Sequence, residues 1–94
     1  MNDRHETKYL IFSRLKYGDK KTYNVRVLNK GNELLGEIYW RSGFRTYVFN
    51  PQPNLDFDSK CMQDIIDYIK SLLEERENER TWSVRIFLYS ITMW

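Results

Sequence analysis

The stretch GEIYWRSGFRTYVFNP, residues 36–51, decides the fold. Ile38 and Trp40 fall in phase with Leu34, the two-residue period of a half-buried strand. Ser42-Gly43 is a turn signal. Beyond it Phe44, Thr46 and Val48 alternate with Arg45, Tyr47 and Phe49. Pro51 and Pro53 then stop the strand, because proline cannot donate to a ladder. Two strands joined by so short a connection run antiparallel. Gly36, inside the first of them, marks a bulge or the close approach of another backbone or a large ring.

Upstream, Thr22 to Leu28 alternates cleanly, with Tyr23, Val25 and Val27 pointing one way. The turn-forming run Asn29-Lys30-Gly31-Asn32 joins it to the strand that starts at Leu34. Lys8 to Tyr17 alternates imperfectly and reads as a further strand, closed by Gly18-Asp19. Residues 1–7 read as a flexible tail. Downstream, Cys61, Met62, Ile65, Ile66, Ile69, Leu72 and Leu73 recur at three- and four-residue spacing, one apolar stripe on a helix capped by Asp58 or Ser59. The polar run Glu74 to Arg80 places acids at the negative end of the helix dipole, so the helix is expected to fray near Asn78. Trp82, Val84, Ile86 and Leu88 alternate with Ser83, Arg85, Phe87 and Tyr89, which predicts a C-terminal strand over 82–91. The expectation is one α+β domain over 1–94. It has an antiparallel meander of four or five strands, covered on one face by a long helix over about 59–78.

Ninety-four residues, 41% hydrophobic and 16% aromatic, are enough for one core and no second domain. Alanine is absent, so the helix is built from bulkier residues. A single cysteine, Cys61, excludes an internal disulfide and a cysteine-built zinc site; lying in the apolar stripe, it reads as a packed thiol. The sole histidine, His5, sits in a polar N-terminal stretch and leaves no Ser/His/Asp set to assemble. Asp56, Asp58, Asp64 and Asp67 read as a solvated face rather than a metal site or acid pair. No apolar run approaches the roughly 20 residues that cross a bilayer, and the N-terminus is too polar for a signal peptide. A soluble, cytoplasmic protein without catalytic residues, metal or cofactor is expected, with no membrane contact.

The residues Gly36-Glu37-Ile38-Tyr39-Trp40, Phe44 to Pro51, Phe57, Met62, Asp64-Ile65 and Tyr68-Ile69 resemble a pattern in a group of small uncharacterised proteins from bacteria, plasmids and phages. The pattern is a G-x-I-x-W strand, an aromatic-Arg-x-Tyr-x-Phe-x-Pro strand and an amphipathic helix, over about residues 32–73. The resemblance implies a phage or mobile-element setting, where small proteins often act by binding another macromolecule. It carries no activity.

Two functions compete. The first is a protein-interaction module, whether inhibitor, adaptor or homo-oligomer subunit. With one sheet face under the helix, Tyr39, Arg45, Tyr47 and Phe49 would be left for a partner, and the apolar C-terminus ending in Trp94 would pack on the sheet or on a second copy. The second is nucleic-acid binding. Residues 1–30 carry eight Lys/Arg against three acids, and 51–80 carry four against eight, within a net charge of +2. Arg14, Lys16, Lys20, Lys21, Arg26 and Lys30, interleaved with Tyr17 and Tyr23, could contact phosphates and stack on bases. The basic segment and the acidic helix could equally neutralise one another within the fold.

Overall fold

The computed structural model describes the backbone over 4–15 and 21–92 and the side chains of those residues through Glu77. Five strands run in order of sequence: β1 (Arg4–Glu6), β2 (Leu10–Leu15), β3 (Asn24–Asn29), β4 (Leu34–Arg41) and β5 (Thr46–Pro51), followed by helix α1 (Ser59–Thr92). All neighbours pair antiparallel, so the sheet is a meander with β1 and β5 at its edges. The α+β meander with a covering helix is therefore the architecture that the hairpin predicts.

Local chemistry explains the turns. Asn29 Oδ1 accepts from the backbone N–H groups of Gly31 and Glu33, both at 2.9 Å, and Asn32 takes a φ of 66°. Asparagine tolerates that left-handed conformation better than most residues. In the β4–β5 turn the positive φ (55°) falls on Arg45, and β5 starts at Thr46 rather than Phe44. A register shift between Val27 and Leu28 pairs Val27 with Gly36 and Leu28 with Leu34. That bulge swings Leu35 inward onto the core and leaves Leu34 exposed, out of phase with Ile38 and Trp40.

The core lies between α1 and one face of the sheet. Leu10, Phe12, Val25, Val27, Ile38 and Tyr47 meet Ile65, Tyr68 and Leu72. The Phe12 and Tyr68 rings stack at 4.3 Å and 5°, the tightest ring contact of the seam. Asp58 is the N-cap: its Oδ1 accepts from Cys61 N–H at 2.8 Å, which holds the carboxyl below its usual range. Ile65 and Leu72 of the expected stripe are buried, Cys61, Ile69 and Leu73 are partly so, and Met62 and Ile66 point away.

Two expectations are corrected. Arg4–Glu6, placed in a tail, pairs with Ser13, Phe12 and Ile11 and supplies the fifth strand. The strand over 82–91 does not form; α1 runs through Asn78 to Thr92 without a break. No glycine or proline follows Pro53, so nothing in the sequence stops the helix. Extending an existing helix adds one hydrogen bond per residue fixed, whereas a new strand must close a loop first. Trp82, Ile86 and Tyr89 also recur at three- and four-residue spacing, so the segment carries both periods.

Candidate interaction surfaces

Strand alternation assigns a face to each side chain. Tyr23, Trp40 and Phe49 pack onto the core, and Arg14 is drawn to the same side by α1. Arg14 Nε donates to Tyr68 Oη at 2.6 Å, and its two terminal nitrogens donate to Glu75 Oε1 and Oε2 at 2.9 and 2.6 Å. This fork raises the guanidinium further above its ordinary value and holds the Glu75 carboxyl below its own. Arg76 lies over the Trp40 ring at 4.2 Å, and Trp40 meets Tyr47 edge-on at 5.3 Å. Tyr47 Oη accepts from Tyr23 N–H at 3.3 Å, while burial pushes its phenol up.

The other face carries three rows across the strands, read from the register. Leu28 sits beside Ile11 and Leu34. Next comes a polar row in which Arg26 lies between Ser13 and Glu37, with Asn50 beyond. In the third row Leu15 pairs with Asn24, and Tyr39 with Val48. Asn24 falls beside Tyr39, one residue past the Val25–Ile38 pair. Two apolar rows thus flank a polar one. Among the described residues, no helix or strand lies over this face; on it Ile11 is buried, Leu15, Leu28, Tyr39 and Val48 are half-buried, and Leu34, Arg26 and Asn50 are exposed. Arg26 and Glu37 stand directly opposite one another, yet the described ion pairs do not include them.

At the β1 edge a cleft of about 640 Å³ opens between the sheet and α1, lined by Arg4, His5, Arg14, Asp64, Asp67 and Tyr68. His5 tilts against the Tyr68 ring at 5.7 Å. Arg14 is engaged by Glu75, Arg4 lies 3.4 Å from Glu6, and Gln63 donates to Asp67 at 2.9 Å. The cleft is thus lined by charges of both signs, several of them engaged within the chain. Among the described residues, no group of three or more His, Cys, Asp or Glu is placed to hold a metal ion. No helix there is long and apolar enough to cross a membrane.

The residues expected to meet a partner are divided. Tyr39 lies on the uncovered face and Arg45 in the exposed β4–β5 turn. Tyr47 and Phe49 do not lie on that face: Tyr47 is buried beneath α1, and Phe49 packs against Phe57 and over Gly36. Trp94 lies outside the described residues. The reason for the correction is steric. A Cβ on Gly36 would sit 2.6 Å from the Phe49 ring, so the glycine marks where that ring crosses the core face. That signal was present in the sequence, and it places Phe49, and Tyr47 two residues before it, on the covered side.

The basic residues are also divided. Arg14 is tied under α1 and Arg26 lies on the uncovered face. Lys21 is exposed near Tyr23, and Lys30 at the β3–β4 turn lies 3.6 Å from Glu6. Lys16 and Lys20, like Tyr17, lie outside the described residues. Tyr23 packs on the core side.

Over 76 residues the chain is 43% identical to an uncharacterized 9.3 kDa protein of Acholeplasma phage L2, covering 80% of this chain and 97% of the phage protein. The chain belongs to that phage protein's family. This agrees with the resemblance to small phage proteins. No protein-family model matches the chain, and no solved structure matches it.

Proposed function

We propose that this phage-family protein is a non-catalytic protein-interaction module that docks through the sheet face turned away from α1, in the cytoplasm of the cell that carries it. The observation that carries the reading is the patterning of that face. Leu28 and Leu34, then Tyr39 and Val48, give apolar rows on a surface that the described elements leave uncovered. Apolar rows with a Tyr and an Arg among them have the composition of interface cores, where those types are enriched. The relative in Acholeplasma phage L2 supports a phage setting. The nucleic-acid reading has less support, because the described basic residues are dispersed: Arg14 is tied to Glu75 under α1, Arg26 lies on the uncovered face, and Lys30 lies beside Glu6.

The test is retention on tagged chain in cells that also make untagged chain. The intact protein is expected to retain a partner, whether untagged chain or a foreign protein, and the double variant Tyr39→Asp, Val48→Asp to lose it. Equal retention by both, or none by either, overturns the reading.

A further inference from the structure

The uncovered face is complementary to itself. Consider a two-fold axis lying against this face, parallel to the strands and midway between β3 and β4. Rotation about it keeps each row in place along the strands but exchanges β3 with β4 and β2 with β5. Arg26 then lies over Glu37 of the partner subunit, and Glu37 over Arg26 of the partner subunit. In the same operation Leu28 meets the partner's Leu34, Leu15 meets the partner's Val48, and Asn24 meets the partner's Tyr39. Each match follows from the strand register alone. Apolar falls on apolar, cation on anion and amide on phenol.

Resting on the reading of this face as the docking surface, we propose that its occupant is a second copy of the chain, packed face to face in a two-fold sandwich with α1 of each copy on the outside. Aligned sheets pack about 10 Å apart with their strands within about 30° of one another, which the natural twist permits over the central rows. Such a contact is isologous, so one patch serves both copies and the assembly closes at two. Strands β2 to β5 present roughly 19 × 20 Å of face, from about 4.8 Å between strands and 3.3 Å per residue. That is on the order of 400 Å² per copy in projection, about half the area per partner of a standard stable interface, so the dimer is a weak one that dissociates on dilution. The Arg26 and Glu37 pairs fix the register: sliding the sheets by one row along the strands sets Arg26 against the partner's Leu34 or the partner's Tyr39, and Glu37 against the partner's Leu28 or the partner's Asn24, and leaves both charges unpaired.

The charges also provide the test. Arg26→Glu sets a carboxylate against Glu37 of the partner subunit, and Glu37→Arg sets a guanidinium group against the partner's Arg26, each at both symmetric positions. Sedimentation of the intact chain over a concentration series is expected to show a monomer–dimer equilibrium. Each variant alone is expected to associate about tenfold or more weakly, with an unchanged circular dichroism spectrum. An equimolar mixture of the two is expected to dimerise again, because the mixed pair restores opposite charges at both positions. A folding defect would not be rescued by mixing. An intact chain that dimerises while both variants also dimerise overturns this inference and moves self-association to another surface, such as α1. A strictly monomeric intact chain overturns it too, while leaving the docking reading to stand or fall on whether a foreign protein is retained.

Discussion

Gly36 shows how a single residue sets the packing of a face. Its missing side chain is the space that the Phe49 ring occupies, with Asn50 O 2.7 Å from where a Cβ would sit. Gly36→Ala is expected to lower stability by about 1–3 kcal/mol, read from the urea midpoint. Adding Phe49→Leu should recover only part of the loss, since the carbonyl cannot move without its strand. Arg14 acts by charge instead. Because the Arg14 fork lowers the folded-state pKa of Glu75, the pair stabilises the fold above the ordinary carboxylate range. That contribution is lost as pH falls through the depressed value. Glu75→Gln should therefore lower stability near neutral pH by less than about 1 kcal/mol, read from the urea midpoint, as for a partly exposed pair. The difference should close on acidification. At this scale the sequence was legible where a residue has one role: the Asp58 cap, the Asn29 turn and the glycine gap each follow from side-chain chemistry. Tyr47 and Phe49 lie apart from Tyr39 because alternation within each strand does not give the register between them: Tyr39 pairs with Val48, and Tyr47 and Phe49 share the face of Trp40 and Ile38.

At the scale of elements, the hairpins and the start of α1 were legible because turn residues and a cap punctuate them. The end of α1 was not, since residues 81–92 fit both a two-residue and a helical period and no breaker separates them from the stripe. β1 was hidden for another reason. Arg4, His5 and Glu6 are polar, as suits a short edge strand that must not recruit other chains, and polar triplets carry no strand signal. At about 1.5 Å per residue, the 34 residues of α1 span about 51 Å, against about 26 Å for the eight residues of β4. The described contacts between α1 and the sheet end with Glu75 on Arg14 and Arg76 on Trp40. Ending the chain after Arg80 is expected to remove about a third of the helical dichroism, since residues 81–92 are 12 of the 34 in α1. A large loss of stability would mean that the second half of α1 belongs to the same core.

For the whole molecule, one sheet divides the chain into a sealed side and a patterned side. The sealed side was readable as a seam between α1 and the 36–49 hairpin, since a sheet needs a cover and the stripe supplies one. The patterned side was not, because its rows exist only once the bulge at Leu35 and the register of four strands are known. Leu15 on β2 and Val48 on β5 are three strand spacings apart within one copy, about 14 Å, too far for their methyl protons to exchange magnetisation. In the two-fold sandwich they touch across the axis. A methyl NOE between Leu15 and Val48 in the dimer is the predicted result. A dimer that lacks this NOE, with Leu15 and Val48 both open to a soluble paramagnetic probe, would contradict the account.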